Sequence, residues 1–148
     1  MVERYAKFTA AVSRISNCIQ KIESEAMSKY GLTGACAQYI AAMRTSTEGL
    51  TVSQLSEVCM KDKAAVSRSV SQLEEKGLVC RNSQGGNVYR APIVLTDSGK
   101  AIADYVAQRA SVAVEIAGLN DGERQEMYSA LDTIAKNLTD ICKEGLPE

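Results

Sequence analysis

The sequence predicts a mainly α-helical chain with one small two-stranded β element. Three observations carry this. Long apolar seams with helical spacing lie towards both ends of the chain. Capping and stop signals divide the middle into short helical pieces. A single stretch, residues 79–95, turns β-prone around a centre dense in turn residues.

Tyr5, Phe8, Val12, Ile15, Ile19, Ile22 and Ala26 recur at steps of three and four and form the first seam, which Gly31 ends. Residues 33–44 read as a second helix with Cys36, Tyr39, Ile40 and Met43 on one face, stopped by Gly49. In Leu50-Thr51-Val52-Ser53-Gln54-Leu55, Thr51 can cap the amide of Gln54, and the Gln54 side chain can reach back to the amide of Thr51. Leu50 and Leu55 take the two positions of a hydrophobic staple around that capping box. The helix it opens is short and ends near Cys59. Asp62 caps the next, over residues 63–76, where Gly77 suits a left-handed C′ position and Leu78 the apolar contact of a Schellman end. Residues 79–81 and 88–95 then form a hairpin around the turn-rich run 82–87, with the Pro92 nitrogen expected on an open edge because it has no hydrogen to donate. Thr96 caps a helix to about Ala117. Asn120 and Glu123 have capping-box spacing and open the last helix, where Met127, Leu131, Ile134, Leu138 and Ile141 form the second seam and Gly145 and Pro147 end it.

At 148 residues, 45% apolar and 24% charged, the chain has ordinary globular composition and can bury one core. It contains no His, which removes Ser-His-Asp and Cys-His nucleophiles and every His-ligated metal site. Gly85-Gly86 sits in a hairpin tip and not before a helix, so it is no phosphate cradle, and no pair of carboxylates converges. The chain reads as a non-enzyme with no cofactor and no metal. Its apolar runs fall far short of the ~20 residues that span a bilayer. Met1-Val2-Glu3-Arg4-Tyr5 shows no apolar signal region, so the expected compartment is the cytoplasm, with Cys as thiols and no membrane partner.

The net charge is −1, yet residues 61–90 hold six Lys/Arg against three Asp/Glu. This basic patch coincides with the capped pair of middle helices. A short helix, a tight turn, a second helix and a hairpin make a winged helix-turn-helix, whose second helix fits the DNA major groove. On that helix Val66, Val70 and Leu73 fall on one side with Ser69 between them. Ala64, Arg68, Ser71 and Glu75 fall on the other, flanked by Lys63 and Ser67. Small residues there let the backbone approach the base edges, and Arg68 can bind guanine through two hydrogen bonds.

Several runs resemble the MarR family of bacterial transcriptional regulators: Gly31-Leu32-Thr33, Gln38-Tyr39, the 50–55 segment, Val66-Ser67-Arg68, Leu73-Glu74-Glu75-Lys76-Gly77-Leu78-Val79-Cys80-Arg81 and Leu95-Thr96-Asp97-Ser98-Gly99-Lys100. The resemblance covers essentially the whole chain. It implies one regulator domain, 1–148, with dimerisation helices in 1–30 and 97–146 and a winged DNA-binding lobe in 31–96. It implies a homodimer, acting as a repressor on a pseudo-palindromic site of double-stranded DNA with half-sites ~34 Å apart. The expected DNA contacts are Thr51, Ser53, Lys61, Lys63, Ala64, Ser67, Arg68, Ser71 and Arg81, with Asn87, Tyr89 and Arg90 from the wing. The wing departs from the family pattern. Asn87 and Tyr89 stand where the family carries Asp-x-Arg, and Arg90 follows one place late, which in a strand points it to the opposite face. Binding weaker or differently specific than the family's is expected. The alternative is a dimeric protein-interaction module that kept the winged fold and lost specific DNA binding.

The resemblance also implies a small aromatic or phenolic effector, or oxidation of a Cys. Arg14, Tyr39 and Met43 are the candidate ligand residues: Arg14 can pair a carboxylate and Tyr39 can stack on a ring. Cys80, beside Arg81, and Cys18, beside the first seam, are the redox candidates. Cys36, Cys59 and Cys142 sit next to apolar periodic positions and read as core.

Overall fold

The computed structural model describes residues 1–82, 86, 90–116 and 118–146. Its elements are α1 (Val2–Ser28), α2 (Ala35–Arg44), α3 (Val52–Cys59), α4 (Lys63–Glu75), β1 (Val79–Arg81), β2 (Ile93–Leu95), α5 (Asp97–Ile116) and α6 (Asp121–Glu144). The mainly α fold with a two-stranded antiparallel sheet is the one the sequence predicts. The chain divides into two compact units, Met1–Ser111 and Val112–Glu148. No helix among the described residues is long and apolar enough to cross a membrane.

The helix ends follow their local chemistry. Gly31 takes φ +67°, Leu32 N–H bonds the Met27 carbonyl at 3.2 Å and Gly31 N–H bonds the Ser28 carbonyl at 3.0 Å, a Schellman end for α1. The same pattern closes α4, with Leu78 N–H to the Leu73 carbonyl and Gly77 N–H to that of Glu74, both at 2.9 Å. Both bonds of the α3 capping box form, as do both at Asn120 and Glu123, which open α6.

In the first unit, Met27, Cys36, Tyr39, Ile40, Leu55, Val66, Val70, Leu73 and Ile93 are all but completely buried in one cluster. Each faces it because helical or strand period puts it there. The α1 C-terminus joins α5 through Lys29, whose Nζ donates to the Tyr105 hydroxyl at 2.7 Å, and through the edge-on contact of Tyr30 with the Tyr105 ring. In the second unit, α6 has no buried residue at all.

The sheet differs from the expected hairpin in three ways. The register pairs Val79 with Leu95, Cys80 with Val94 and Arg81 with Ile93, so β2 begins at Ile93; Val88 lies outside the described residues. Pro92 sets that start. Its carbonyl accepts from Asn82 N–H at 2.8 Å, so its nitrogen also faces β1 and not an open edge, and the reciprocal bond cannot form. Ile93 turns the other way and exchanges two bonds with Leu50, at 3.0 and 2.8 Å, which makes a third, single-residue rung. Gly49, five residues beyond the end of α2, serves this rung. Its φ is +86°, and a Cβ would sit 2.7 Å from the Ile93 carbonyl oxygen.

Gly77-Leu78 and Thr96–Gly99 are clamped together. Thr96 Oγ1 donates to the Gly77 carbonyl at 2.7 Å and accepts from Gly99 N–H at 3.1 Å, and Thr96 N–H bonds the Leu78 carbonyl at 3.0 Å. A Cβ on Gly99 would overlap the Leu78 carbonyl oxygen.

The thiols separate by position. Cys36 is buried and Cys59 half-buried, while Cys18, Cys80 and Cys142 are exposed. Cys142 is thus no core residue: it follows half-buried Ile141 on α6, a helix that buries nothing. Burial raises the Cys59 thiol above its ordinary pKa of 9.0, and Lys61 only partly opposes this.

Two outcomes follow from this packing. Gly99→Ala forces its methyl into a carbonyl and should cost about 1–3 kcal/mol, lowering Tm by several degrees; Gly122→Ala, at an ordinary 3.4 Å contact on α6, should leave Tm within a degree or raise it. Calorimetry of both variants checks the contrast. In native protein at neutral pH, Cys80 should alkylate readily and Cys36 and Cys59 slowly. The rate at Cys59 should climb only as pH passes above 9.0, since the thiolate is the nucleophile. Mass spectrometry of labelled peptides over a pH series reads this directly.

Candidate nucleic-acid interface

Two capped helices and one tight turn build the candidate site. Asp62 Oδ1 accepts from Ala65 N–H at 2.6 Å and starts α4 immediately after the turn. Within the turn Met60 takes φ +52°, a left-handed conformation that costs a non-glycine residue about 1 kcal/mol. The Ser56 hydroxyl donates to the Lys61 carbonyl and ties the turn to α3. Position 60 carries none of the usual turn residues, so sequence inspection gave no sign of it.

The orientation of α4 is fixed from its inner side. Val66, Val70 and Leu73 are fully buried, and Ser69 is 7% exposed. The Gln72 side-chain oxygen accepts from the Thr33 hydroxyl at 3.1 Å and from the Cys36 thiol at 3.3 Å, which fastens α4 to the start of α2. Lys63, Ala64, Ser67, Arg68 and Ser71 are all exposed, as are Ser53 and Lys61 ahead of them. Thr51 is half-buried, and its hydroxyl accepts from Gln54 N–H as the α3 cap. The structure thus collects the predicted α3 and α4 residues on the side of the helix pair away from the core.

Beside this face runs a shallow groove of about 470 Å³ between α2 and α4, which includes Thr33, Gln38, Tyr39, Lys61, Arg68 and Gln72. Thr33, Gln38 and Gln72 were not among the expected site residues. They are uncharged, and only the packing of α2 on α4 brings them beside Arg68. Burial raises the Tyr39 hydroxyl above its ordinary pKa of 10.0, with Cys59 and Asp62 adding to the effect, so it stays neutral in the physiological range.

The wing residues fare differently. Asn87 and Tyr89 lie outside the described residues. Arg90 is exposed but does not stand in β2, so strand alternation does not decide its direction. Arg81 is engaged at the wing base: its Nε donates to Glu74 Oε1 at 2.7 Å, and its side chain is only 17% exposed. This ion pair braces β1 against the last turn of α4.

The candidate ligand residues do not meet. Tyr39 and Met43 are core residues, 1% and 2% exposed. They border two different grooves, and Arg14, exposed on α1, borders neither. Cys80 is exposed at the wing base and Cys18 is exposed on α1. Among the described residues no group of three or more Cys, Asp or Glu is placed to hold a metal.

Comparison with known proteins agrees with this geometry. The family model MarR_2, for the MarR family, matches residues 30–86. No curated protein matches the chain. Among solved structures, a MarR transcriptional regulator from Methanosarcina mazei Go1 is 21% identical with a TM-score of 0.80, covering 90% of each chain. A MarR family transcriptional regulator from Listeria monocytogenes, complexed with 26mer DNA, is 18% identical with a TM-score of 0.79, covering 95% of this chain and 96% of that one. CouR from Rhodococcus jostii RHA1, bound to p-coumaroyl-CoA, is 22% identical with a TM-score of 0.70, covering 84% and 89%. At these identities the structural likeness is one of fold. The chain therefore has the winged helix-turn-helix fold of the MarR transcriptional regulators, and its residues 30–86 carry the MarR family match.

Proposed function

We propose that the chain is a sequence-specific, double-stranded-DNA-binding transcriptional regulator, a cytoplasmic homodimer that represses from a pseudo-palindromic operator. The observation that carries this is the exposed face of α4. Its inner side is locked by three fully buried apolar residues, and its outer side offers Lys63, Ala64, Ser67, Arg68 and Ser71. Small residues let the helix backbone approach the groove, and Arg68 supplies the base-reading donor. Ser53, Thr51 and Lys61 supply backbone contacts, which position without specifying sequence. The Listeria protein of the same fold is complexed with DNA, in support of this reading.

The homodimer rests on uncovered apolar surface. Tyr5, Phe8, Val12 and Ile15 on α1 are each at least 40% exposed. Leu131 and Leu138 on α6 are nearly half exposed, on a helix with no buried residue. Seams of this kind are covered by a second copy in symmetric dimers. A small effector or oxidation at Cys80 would regulate the dimer; the Rhodococcus protein of this fold, bound to p-coumaroyl-CoA, supports the ligand half of that reading.

The test is selection of genomic fragments on the reduced protein, followed by titration of the recovered motif. Wild type should recover a palindrome and behave in solution at twice the 15.9 kDa chain mass. Arg68→Ala should lose about 1–3 kcal/mol of binding and relax preference at one base pair per half-site, while Lys61→Ala should weaken all sequences alike and reduce the salt slope by about one. Recovery of random fragments alone, with Arg68→Ala indistinguishable from wild type, would overturn the reading in favour of an interaction module.

A further inference from the structure

The side-chain amide of Gln72 is held at one atom and free at the other. Its oxygen accepts from the Thr33 hydroxyl at 3.1 Å and from the Cys36 thiol at 3.3 Å, while its Nε2 donates no hydrogen bond among the described residues. The amide is planar, so an oxygen fixed by two donors also fixes where the NH₂ group lies. Both anchors stand at the start of α2, and Cys36 is fully buried there. Gln72 itself is half-buried and lines the shallow groove between α2 and α4, one helical turn beyond exposed Arg68. The described residues lining that groove include two cations, Lys61 and Arg68, and no carboxylate. A donor-only group thus stands in positively charged surroundings on the α2 flank of α4, with Ser67 and Ser71 on the other side of Arg68.

We propose that Gln72 donates through Nε2 to a DNA phosphate, with Thr33 and Cys36 as the residues that position it. The contact rests on the DNA-binding reading above and adds a residue which that reading does not use. Glutamine reads adenine by pairing both amide atoms with the base edge. With its oxygen already engaged, Gln72 has only hydrogens to offer, and phosphate oxygens only accept. A flank position suits the sugar-phosphate wall of a groove that the Ser67, Arg68 and Ser71 side of the helix enters. An amide fixed before association also loses less side-chain freedom when DNA arrives.

The experiment titrates the duplex recovered by genomic selection, and its single-base variants, with the full chain at several salt concentrations. Gln72→Met should weaken binding about tenfold. The factor should be the same on every duplex and at every salt concentration, because a neutral donor to phosphate reads no base and releases no counterion. Gln72→Glu still accepts from Thr33 and Cys36 but sets an anion where the NH₂ stood. It should stay folded and weaken binding about a hundredfold at low salt, with a deficit that shrinks as salt rises. Thr33→Val should weaken the wild type about threefold and add nothing to Gln72→Met, whereas Thr33→Ser, which keeps the hydroxyl, should bind as wild type. Gln72→Met equal to wild type, a loss confined to one base pair, or a Thr33→Val loss that persists in Gln72→Met would overturn the contact and leave the DNA reading standing. A wild type that binds no duplex would overturn both.

Discussion

The first unit depends on the clamp between Gly77-Leu78 and Thr96–Gly99. Two carbonyls at the end of α4 meet a backbone N–H and a hydroxyl at the start of α5, and Gly99 lets the two backbones close. Each hydrogen bond alone is worth about 0.5–1.5 kcal/mol. Their joint effect is geometric. Leu78 and Leu95 are drawn into the core on either side, so Val79 and Leu95 are brought into register and the wing is anchored at its base. The Arg81–Glu74 ion pair then fixes the first strand against α4 from the opposite side. Strand, helix and clamp are thus joined: β1 is tied to α4 by the ion pair and to the start of α5 by the clamp.

This frame explains why so little of the candidate interface is itself structural. Lys63, Ser67, Arg68 and Ser71 make no contribution to the core, because Val66, Val70, Leu73 and the Gln72 hydrogen bonds already hold the helix. Substitutions there leave the buried side of the helix untouched. The same division reaches α2, where Cys36 and Tyr39 are spent on packing while Thr33 and Gln38 remain at the groove.

Local chemistry made the helices legible. Thr51, Asp62, Thr96 and Asn120 each cap through a bond within three residues, and Gly31 and Gly77 each close a helix by their own φ. Such features need no knowledge of distant chain. The Leu50–Ile93 rung and the role of Gly49 were illegible because they join positions far apart in sequence through a single residue pair. Met60 was illegible for a different reason: the tight turn forces a conformation its side chain does not favour. Cys142 was misplaced because periodicity cannot distinguish an apolar seam covered within one chain from one left open. For the candidate site, the α3 and α4 residues followed from helical phase alone, while the neutral groove residues Thr33, Gln38 and Gln72 required tertiary packing.

The wing shows how one residue redirects an argument from sequence. Strand alternation assigns Arg90 a face only if the strand extends through it. Pro92 ends the ladder: it can accept from Asn82 but return nothing, and with Ala91 buried beside it the chain enters β2 only at Ile93. Arg90 precedes that point and is exposed. Strand alternation therefore assigns it no face. A one-place offset from the family's Arg does not oblige the side chain to face away from DNA. At the wing base Arg81 is bound to Glu74, while Arg90, ahead of the ladder, is exposed.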